Sequence, residues 1–400
     1  MAQPSTHPQE TDAARRIEAL AQQAIILNSI FARAGFEPIA PPILQPADVF
    51  LDLVGEDLRA RTYVFTDADG EELCLRPDLT IPACRLYLAR PPALTPVARY
   101  SYDGPVFRFQ PGGGDAAHPR EFRQAGIESF GASDTAKADA EVVALSVEAV
   151  RAAGLRACKL RLGDLGLFTA LLDAVEMPER WRARLRHHFW RPEAFRTQLR
   201  KLSAPEQSVS PGLPMALIKQ LDPQRPADAA ALVAAWLEAE HTPLSGTRTL
   251  AEITRHLMDV AADLKAAPLP AATAQLLDSY LAIVAPARAA AAQIRAALKR
   301  PGVPLGPALD VFGDRLERIA QEGVDIGQAE FSASFGRNLE YYTGLVFEIE
   351  APALGAGINI AGGGRYDGLA RAVGSGRDVA AVGSAIHCER LLTAVRGGVR

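Results

Sequence analysis

Residues suited to chemistry gather first in the run REFRQAGIESFG at 120–131. Read as a strand, it places Phe122, Gln124, Gly126, Glu128 and Phe130 on one face and Arg123, Ala125, Ile127 and Ser129 on the other. Gln124 and Glu128 then stand about 13 Å apart at about 3.3 Å per residue, and Gly126 leaves room between them. An amide and a carboxylate at that spacing suit a small zwitterionic ligand held at both ends; a solvated sheet face shows the same alternation. The preceding run GPVFRFQP puts Val106, Arg108 and Gln110 on one face, opposite Phe107 and Phe109. An arginine above acceptors suits a phosphate or carboxylate, and an ordinary surface salt bridge fits Arg108 equally well. The loop PGGGDAAHP between the two runs could wrap a nucleotide or simply connect them.

Elsewhere the signals are weaker. GGGRYDG at 362–368 lacks the Gly-Lys-Ser/Thr of a phosphate loop and the GxGxxG spacing, and reads as a tight turn with Asp367 bonding nearby backbone. Tyr341 and Tyr342 are adjacent, so in a strand at most one lines a given pocket. His187 and His188 fall in an arginine-rich helical segment and are expected at the surface. Cys74, Cys84, Cys158 and Cys388 form no CxxC pair and have no histidine at metal spacing, so neither a zinc site nor a disulfide framework is expected. No catalytic triad assembles.

Several elements must position these residues. Ile17, Leu20, Ala24, Leu27 and Phe31 recur at helical steps, with Gly35 placed to end a helix over 12–34. FEPIAPPILQPADVF is too proline-rich for a helix and predicts an irregular edge strand. Strands at 61–65 and 71–75 flank the Asp69-Gly70 turn, and a helix is expected over 137–153, stopped by Gly154, before a strand at 157–163. From 171 to 305 an Ala, Leu and Arg texture predicts a helical insertion; β texture returns at 328–350 and 358–368, and a closing helix is expected over 384–395. One interrupted sheet domain, 1–170 with 306–400, is the simplest reading: α+β, with an antiparallel sheet flanked by helices.

Four hundred residues, 48% of them hydrophobic, allow two or three domains with real cores. Forty-three basic against 47 acidic residues, net −4, give no overall reason to bind nucleic acid or an anionic membrane. The N-terminus is polar and no run of about 18 apolar residues occurs, so an unsecreted cytoplasmic protein without a membrane span is expected.

The order of the motifs carries a family resemblance. GPVFRFQP followed by REFRQAGIESFG resembles motif 2 of class II aminoacyl-tRNA synthetases, and AGGGRYDGL with AVGSAIHCERLL resembles the motif 3 region of histidyl-tRNA synthetase. LRPDLT at 75–80 is similar to that enzyme's LRPEGT, GRNLEYYTGLVFE at 336–348 to its RGLDYYTGTVFE, and the proline-rich 38–46 to motif 1, a dimer-interface element. The resemblance implies a histidine site: Asp78, Thr80 and Gln124 around the α-amino end, Glu128 and Tyr342, with Tyr341 beside it, at the imidazole, and Arg337 near the carboxylate. It also matches Arg108 to the arginine that meets the ATP α-phosphate, Gln110 to the carboxylate that meets adenine, and Arg390 to the motif 3 arginine.

The departures are as informative. Gln110 replaces the adenine-contacting carboxylate, a motif 2 arginine is missing, Asp78 is one methylene shorter than its counterpart, and His387-Cys388 stands for Gly-Leu. Only ten residues follow Arg390, so no anticodon-binding domain is expected. The pattern keeps an amino-acid pocket and weakens, to a vestige, the nucleotide site. It resembles the regulatory-subunit family of ATP phosphoribosyltransferase, which implies a non-catalytic chain without cofactor or tRNA. Such a chain forms a homodimer within a hetero-oligomer, partners a short-form catalytic phosphoribosyltransferase, and takes part in histidine feedback on the first step of histidine biosynthesis. A free-standing ligase that makes histidyl-adenylate for another acceptor is the alternative; the arginines favour it, and Gln110 and His387 oppose it.

Overall fold

The computed structural model describes residues 8–51, 56–91, 97–114, 118–205, 209–241, 249–299, 302–336, 341–355 and 357–397. It divides into two compact units, 1–174 with 280–400, and 175–279.

The first unit is built on a nine-stranded sheet and a small three-stranded one. The strands are β1 (Glu37–Pro38), β2 (Leu44–Pro46), β3 (Tyr63–Thr66), β4 (Glu72–Leu75), β5 (Ala98–Phe107), β6 (Glu121–Phe130), β7 (Lys159–Asp164), β8 (Val284–Pro286), β9 (Glu330–Ser332), β10 (Leu345–Glu350), β11 (Asn359–Arg365) and β12 (Ala381–His387). The large sheet runs β1-β5-β6-β12-β11-β10-β7-β9-β8, and β2-β4-β3 form the small one. The six strands from β5 to β7 in that order are antiparallel throughout, as expected; only β1 on β5 and β9 on β7 are parallel. The proline-rich stretch supplies β1 at the edge of the large sheet and β2 in the small sheet, where missing N–H groups cost least.

The helices of this unit are α1 (Pro8–Arg33), α2 (Ala47–Leu51), α3 (Glu56–Arg59), α4 (Thr80–Ala89), α5 (Thr135–Ala152) and α6 (Leu165–Ala174). The second unit holds α7 (Glu179–His188), α8 (Pro192–Ser203), α9 (Met215–Ile218), α10 (Pro226–Ala239), α11 (Leu250–Lys265) and most of α12 (Ala271–Leu281). The chain then returns to the first unit with α13 (Ala287–Leu298), α14 (Gly306–Gln321) and finally α15 (Cys388–Val395).

Local chemistry sets the helix ends. Gly35 takes φ +80°, and the Gly35 and Phe36 N–H groups bond back to Ala32 and Phe31, a Schellman closure that seats Phe36 in the core. Gly154 closes α5 the same way, with φ +103° and the Leu155 N–H on the Val150 carbonyl. In the second unit Thr249 and Glu252 form a reciprocal capping box at the start of α11, which packs its apolar face with α9 and α10 around Leu217, Ile218, Leu221, Val233 and Leu257.

Three expectations change. The helical block read at 171–305 gives way to a compact unit over 175–279, because Ala285 in β8 pairs with Phe331 and α13 packs on that sheet edge. Residues 384–387 are not helix but the end of strand β12, so the closing helix begins at Cys388. The three glycines at 362–364 lie inside β11, and the turn comes only after Tyr366.

Beneath the sheet, Arg315 of α14 bonds Asp139 of α5 and Asp164 of β7, and Arg365 of β11 bonds Asp139 and Asp367. Asp139, Asp164, Arg315 and Arg365 are all buried, so two helices and two strands share one closed network of opposite charges.

Candidate functional site

The face of the sheet opposite that network carries the candidate site. In one row across the strands, Tyr100 of β5 pairs with Glu128 of β6, Glu128 with Gly383 of β12, and Gly383 with Gly364 of β11. In the next same-face row the order is Tyr102, Gly126, Ala385 and Gly362. The glycines leave the floor bare. A Cβ at Gly383 would run into the Glu128 carboxylate, and one at Gly126 into the Tyr102 hydroxyl and the Ser384 carbonyl.

Glu128 is fully buried. The Tyr102 hydroxyl donates to its Oε1 at 2.9 Å, the Tyr366 hydroxyl donates to Oε2, and Thr80 at the head of α4 adds a third side-chain hydrogen bond. Burial pushes its pKa up to about 8, against the opposite pull of the three hydroxyls, and Asp78 nearby adds to the rise. Burial, and then Glu128 itself, raise the phenols of Tyr102 and Tyr366 well above their ordinary value. The result is a neutral carboxyl held among hydroxyls in a dry, aromatic environment.

Asp78 is buried just before α4, where its Oδ1 accepts the Ile81 N–H at 3.4 Å. Gln124 is 6% exposed, and its side-chain Oε1 is buried with no hydrogen-bond partner. A buried amide acceptor left open costs stability unless something donates to it, which makes Gln124, with the equally open Tyr100 hydroxyl, a polar group of this face suited to a ligand. Tyr341 and Tyr342 are both buried in a turn rather than a strand, with ring centroids 4.8 Å apart and 5.6 and 6.2 Å from Tyr366. The strand argument that only one could line a pocket therefore fails: a turn lets both rings face the same cluster. Arg337 lies outside the described residues.

At the other end of the face, β5 stops at Phe107, so Arg108 is not on a strand face with Gln110 as the alternation suggested. Its Nε donates to the Pro77 carbonyl at 2.9 Å and its guanidinium stands 5.1 Å from the Phe122 ring centre. Gln110 is buried and donates to the Pro119 carbonyl at 3.5 Å. Arg390, on α15, donates to the backbone and side-chain oxygens of Asn359, each at 3.0 Å. His387 stacks on Phe122.

The sequence pairing of Gln124 with Glu128 on one face is what the register builds, but that face is buried, not solvated. Tyr102 and Tyr366, the direct partners of Glu128, were not singled out. The alternation Tyr100-x-Tyr102 was a usable signal for the first, whereas Tyr366 was hidden by reading its segment as a turn. Among the described residues no cluster of acidic, histidine or cysteine side chains could hold a metal ion.

One face of a large, mostly antiparallel sheet thus carries a buried carboxyl at one end and two arginines at the other. The histidyl-tRNA synthetase family model matches residues 8–268 and 259–391. An ATP phosphoribosyltransferase regulatory subunit of Brucella anthropi is 39% identical over 357 residues, covering 89% of this chain and 92% of the relative, and that of Brucella canis is 38% identical over the same span. The chain thus belongs to the histidyl-tRNA synthetase-like family and, within it, to the ATP phosphoribosyltransferase regulatory subunits. Solved structures share the fold. One from Bacillus halodurans, described as an ATP phosphoribosyltransferase regulatory subunit/histidyl-tRNA synthetase, has TM-score 0.66 at 22% identity, covering 99% of this chain and 83% of that one. Histidyl-tRNA synthetase from Nostoc has TM-score 0.60 at 16% identity, covering 95% and 72%.

Proposed function

We propose that this chain is the regulatory subunit of an ATP phosphoribosyltransferase: it assembles with a short-form catalytic subunit, is required for that subunit's activity, and takes part in histidine feedback on the first step of histidine biosynthesis. The observation that carries the reading is the contrast between the two ends of one sheet face. At one end the carboxyl of Glu128, three hydroxyls and the open acceptor of Gln124 form a small polar site of the kind an imidazole and an amino group require. At the other, Arg390 is bonded to Asn359 and a histidine ring lies on Phe122. In this reading histidine binds over Asp78, Thr80, Gln124, Glu128, Tyr341 and Tyr342; Arg337, which the sequence match assigns to its carboxylate, lies outside the described residues. Coupling of such a site to catalysis in a partner is typically about 1–3 kcal/mol. The chain itself performs no catalysis in this reading and works in the cytoplasm.

Self-pairing through the 38–46 region is supported by exposed apolar side chains there and on the adjoining small sheet: Ile43 at 40%, Leu44 at 50%, Val64 at 41% and Phe65 at 40%. The deciding experiment mixes the chain with a short-form catalytic subunit. Phosphoribosyl transfer that appears only with both chains, and falls on adding histidine, is expected; full activity of the catalytic chain alone ends the reading. Histidine-dependent pyrophosphate exchange into ATP by this chain would instead establish the ligase alternative.

A further inference from the structure

A separate hollow opens in the first unit where β6 ends and β12 begins. It encloses about 500 Å³, within the range of small-molecule sites. Tyr87 of α4 and Arg90 at its cap form one wall, Ser133 and Thr135 at the start of α5 a second, and Arg377 and Val379 ahead of β12 a third. The Gly131 N–H donates to the Ala380 carbonyl at 2.7 Å and joins the two strand ends there.

The charges of this hollow suit an anion. Arg377 is exposed, and its guanidinium has no partner among the described residues. Its backbone is held, since Ser375 Oγ accepts the Arg377 N–H at 3.2 Å and donates to the Arg377 carbonyl at 2.7 Å. The Arg90 guanidinium lies 4.7 Å from the Tyr100 ring centre and meets Glu37 in a solvent-exposed ion pair, which orients it but offers a competing ligand little resistance. The lining carboxylate, Asp378, is paired with Arg371 at 2.7 Å, and Asp134 is taken up by the cap of α5 and by Arg318. Two guanidinium groups with two hydroxyls beside them match the oxygens of a phosphate, and the volume leaves room for a small polar body attached to it.

The three walls converge on Arg365, Tyr366 and Asp367. The Arg365 guanidinium donates to the Thr135 carbonyl at 3.0 Å. Tyr366 meets Phe130 edge-on with centroids 6.3 Å apart, and Phe130 stacks on Tyr87 at 4.8 Å. Asp367 accepts the Val379 N–H on its carbonyl at 3.1 Å and the Ala381 N–H on its carboxylate at 2.8 Å. The Tyr366 hydroxyl meanwhile donates to Glu128. We propose that this hollow is a second ligand site, for a small phosphate ester, and that its occupancy changes the affinity of the Glu128 end for its own ligand. The coupling rests on the histidine reading; the phosphate-ester site does not.

Calorimetry on the full-length chain tests both, with glycerol 3-phosphate as the probe, glycerol as its uncharged control and inorganic phosphate as the ion alone. Glycerol 3-phosphate is expected to bind while glycerol is silent. Arg377→Gln and Ser133→Ala, at exposed positions, should each weaken it at least tenfold. The site is overturned by no binding of the ester, by inorganic phosphate binding as tightly as the ester, or by binding that both variants leave unchanged. Histidine is titrated first without the probe; no binding there overturns the coupling together with the histidine reading, and the ester titration still decides the site. Saturating glycerol 3-phosphate should then shift histidine affinity about fivefold or more in the wild type and not in Arg377→Gln. An unchanged affinity overturns the coupling.

Discussion

Glu128 is met by hydroxyls, and a hydroxyl can donate to a carboxylate or accept from a carboxylic acid, so both protonation states keep their hydrogen bonds. Burial therefore decides, and it favours the acid. Because the folded pKa, about 8, lies above the ordinary 4.5, the folded chain holds the proton more tightly than the unfolded one. The contribution to stability is full below the ordinary value and lost as pH rises through the folded one. Urea unfolding between these limits should show stability falling with pH by at most about 1.4 kcal/mol per unit from this group, and Glu128→Gln should flatten that slope. An unchanged slope would place the titration elsewhere. For ligand binding, Glu128→Ala should weaken histidine binding roughly 10- to 100-fold by calorimetry, the cost of leaving a buried hydrogen-bonding partner unsatisfied. The Gln124 and Glu128 pair was readable from simple alternation. Its tyrosine partners were not, because Tyr102 reaches Glu128 only through the pairing of β5 with β6 and Tyr366 through a strand two places further along the sheet.

At the scale of elements, strands covered on both faces proved hardest to read. β12 is buried along most of its length, so AVGSAIH shows no polar alternation, and its last four residues, 384–387, read as the start of the helix that follows. β8 is a three-residue edge strand containing Pro286, too short to leave a pattern inside helical surroundings. By contrast α1 and α5 were legible, since their apolar spacing and closing glycines agree. Two predictions belong here. Asp139→Ala removes the acceptor shared by Arg315 and Arg365 and leaves both cations underpaired in the interior; chemical denaturation should register a loss of about 3–5 kcal/mol. Gly383→Ala puts a methyl where the Glu128 carboxylate lies, an overpacking change that should cost about 1–3 kcal/mol and displace Glu128 enough to abolish calorimetric histidine binding.

Across the whole molecule, net charge and architecture point the same way. With 43 basic and 47 acidic residues, the chain should show no salt-sensitive retention of tRNA in a gel-shift assay, despite a fold shared with histidyl-tRNA synthetases. Among the described residues, no helix is long and apolar enough to cross a membrane. Arg365 and Tyr366, consecutive in the chain, face the two sides of the sheet: the first is engaged with Asp139 among the helices, the second with Glu128 in the candidate site. The guanidinium bonded to α5 and the phenol bonded to Glu128 thus flank one peptide, a link a single residue long between the helical layer and the candidate site.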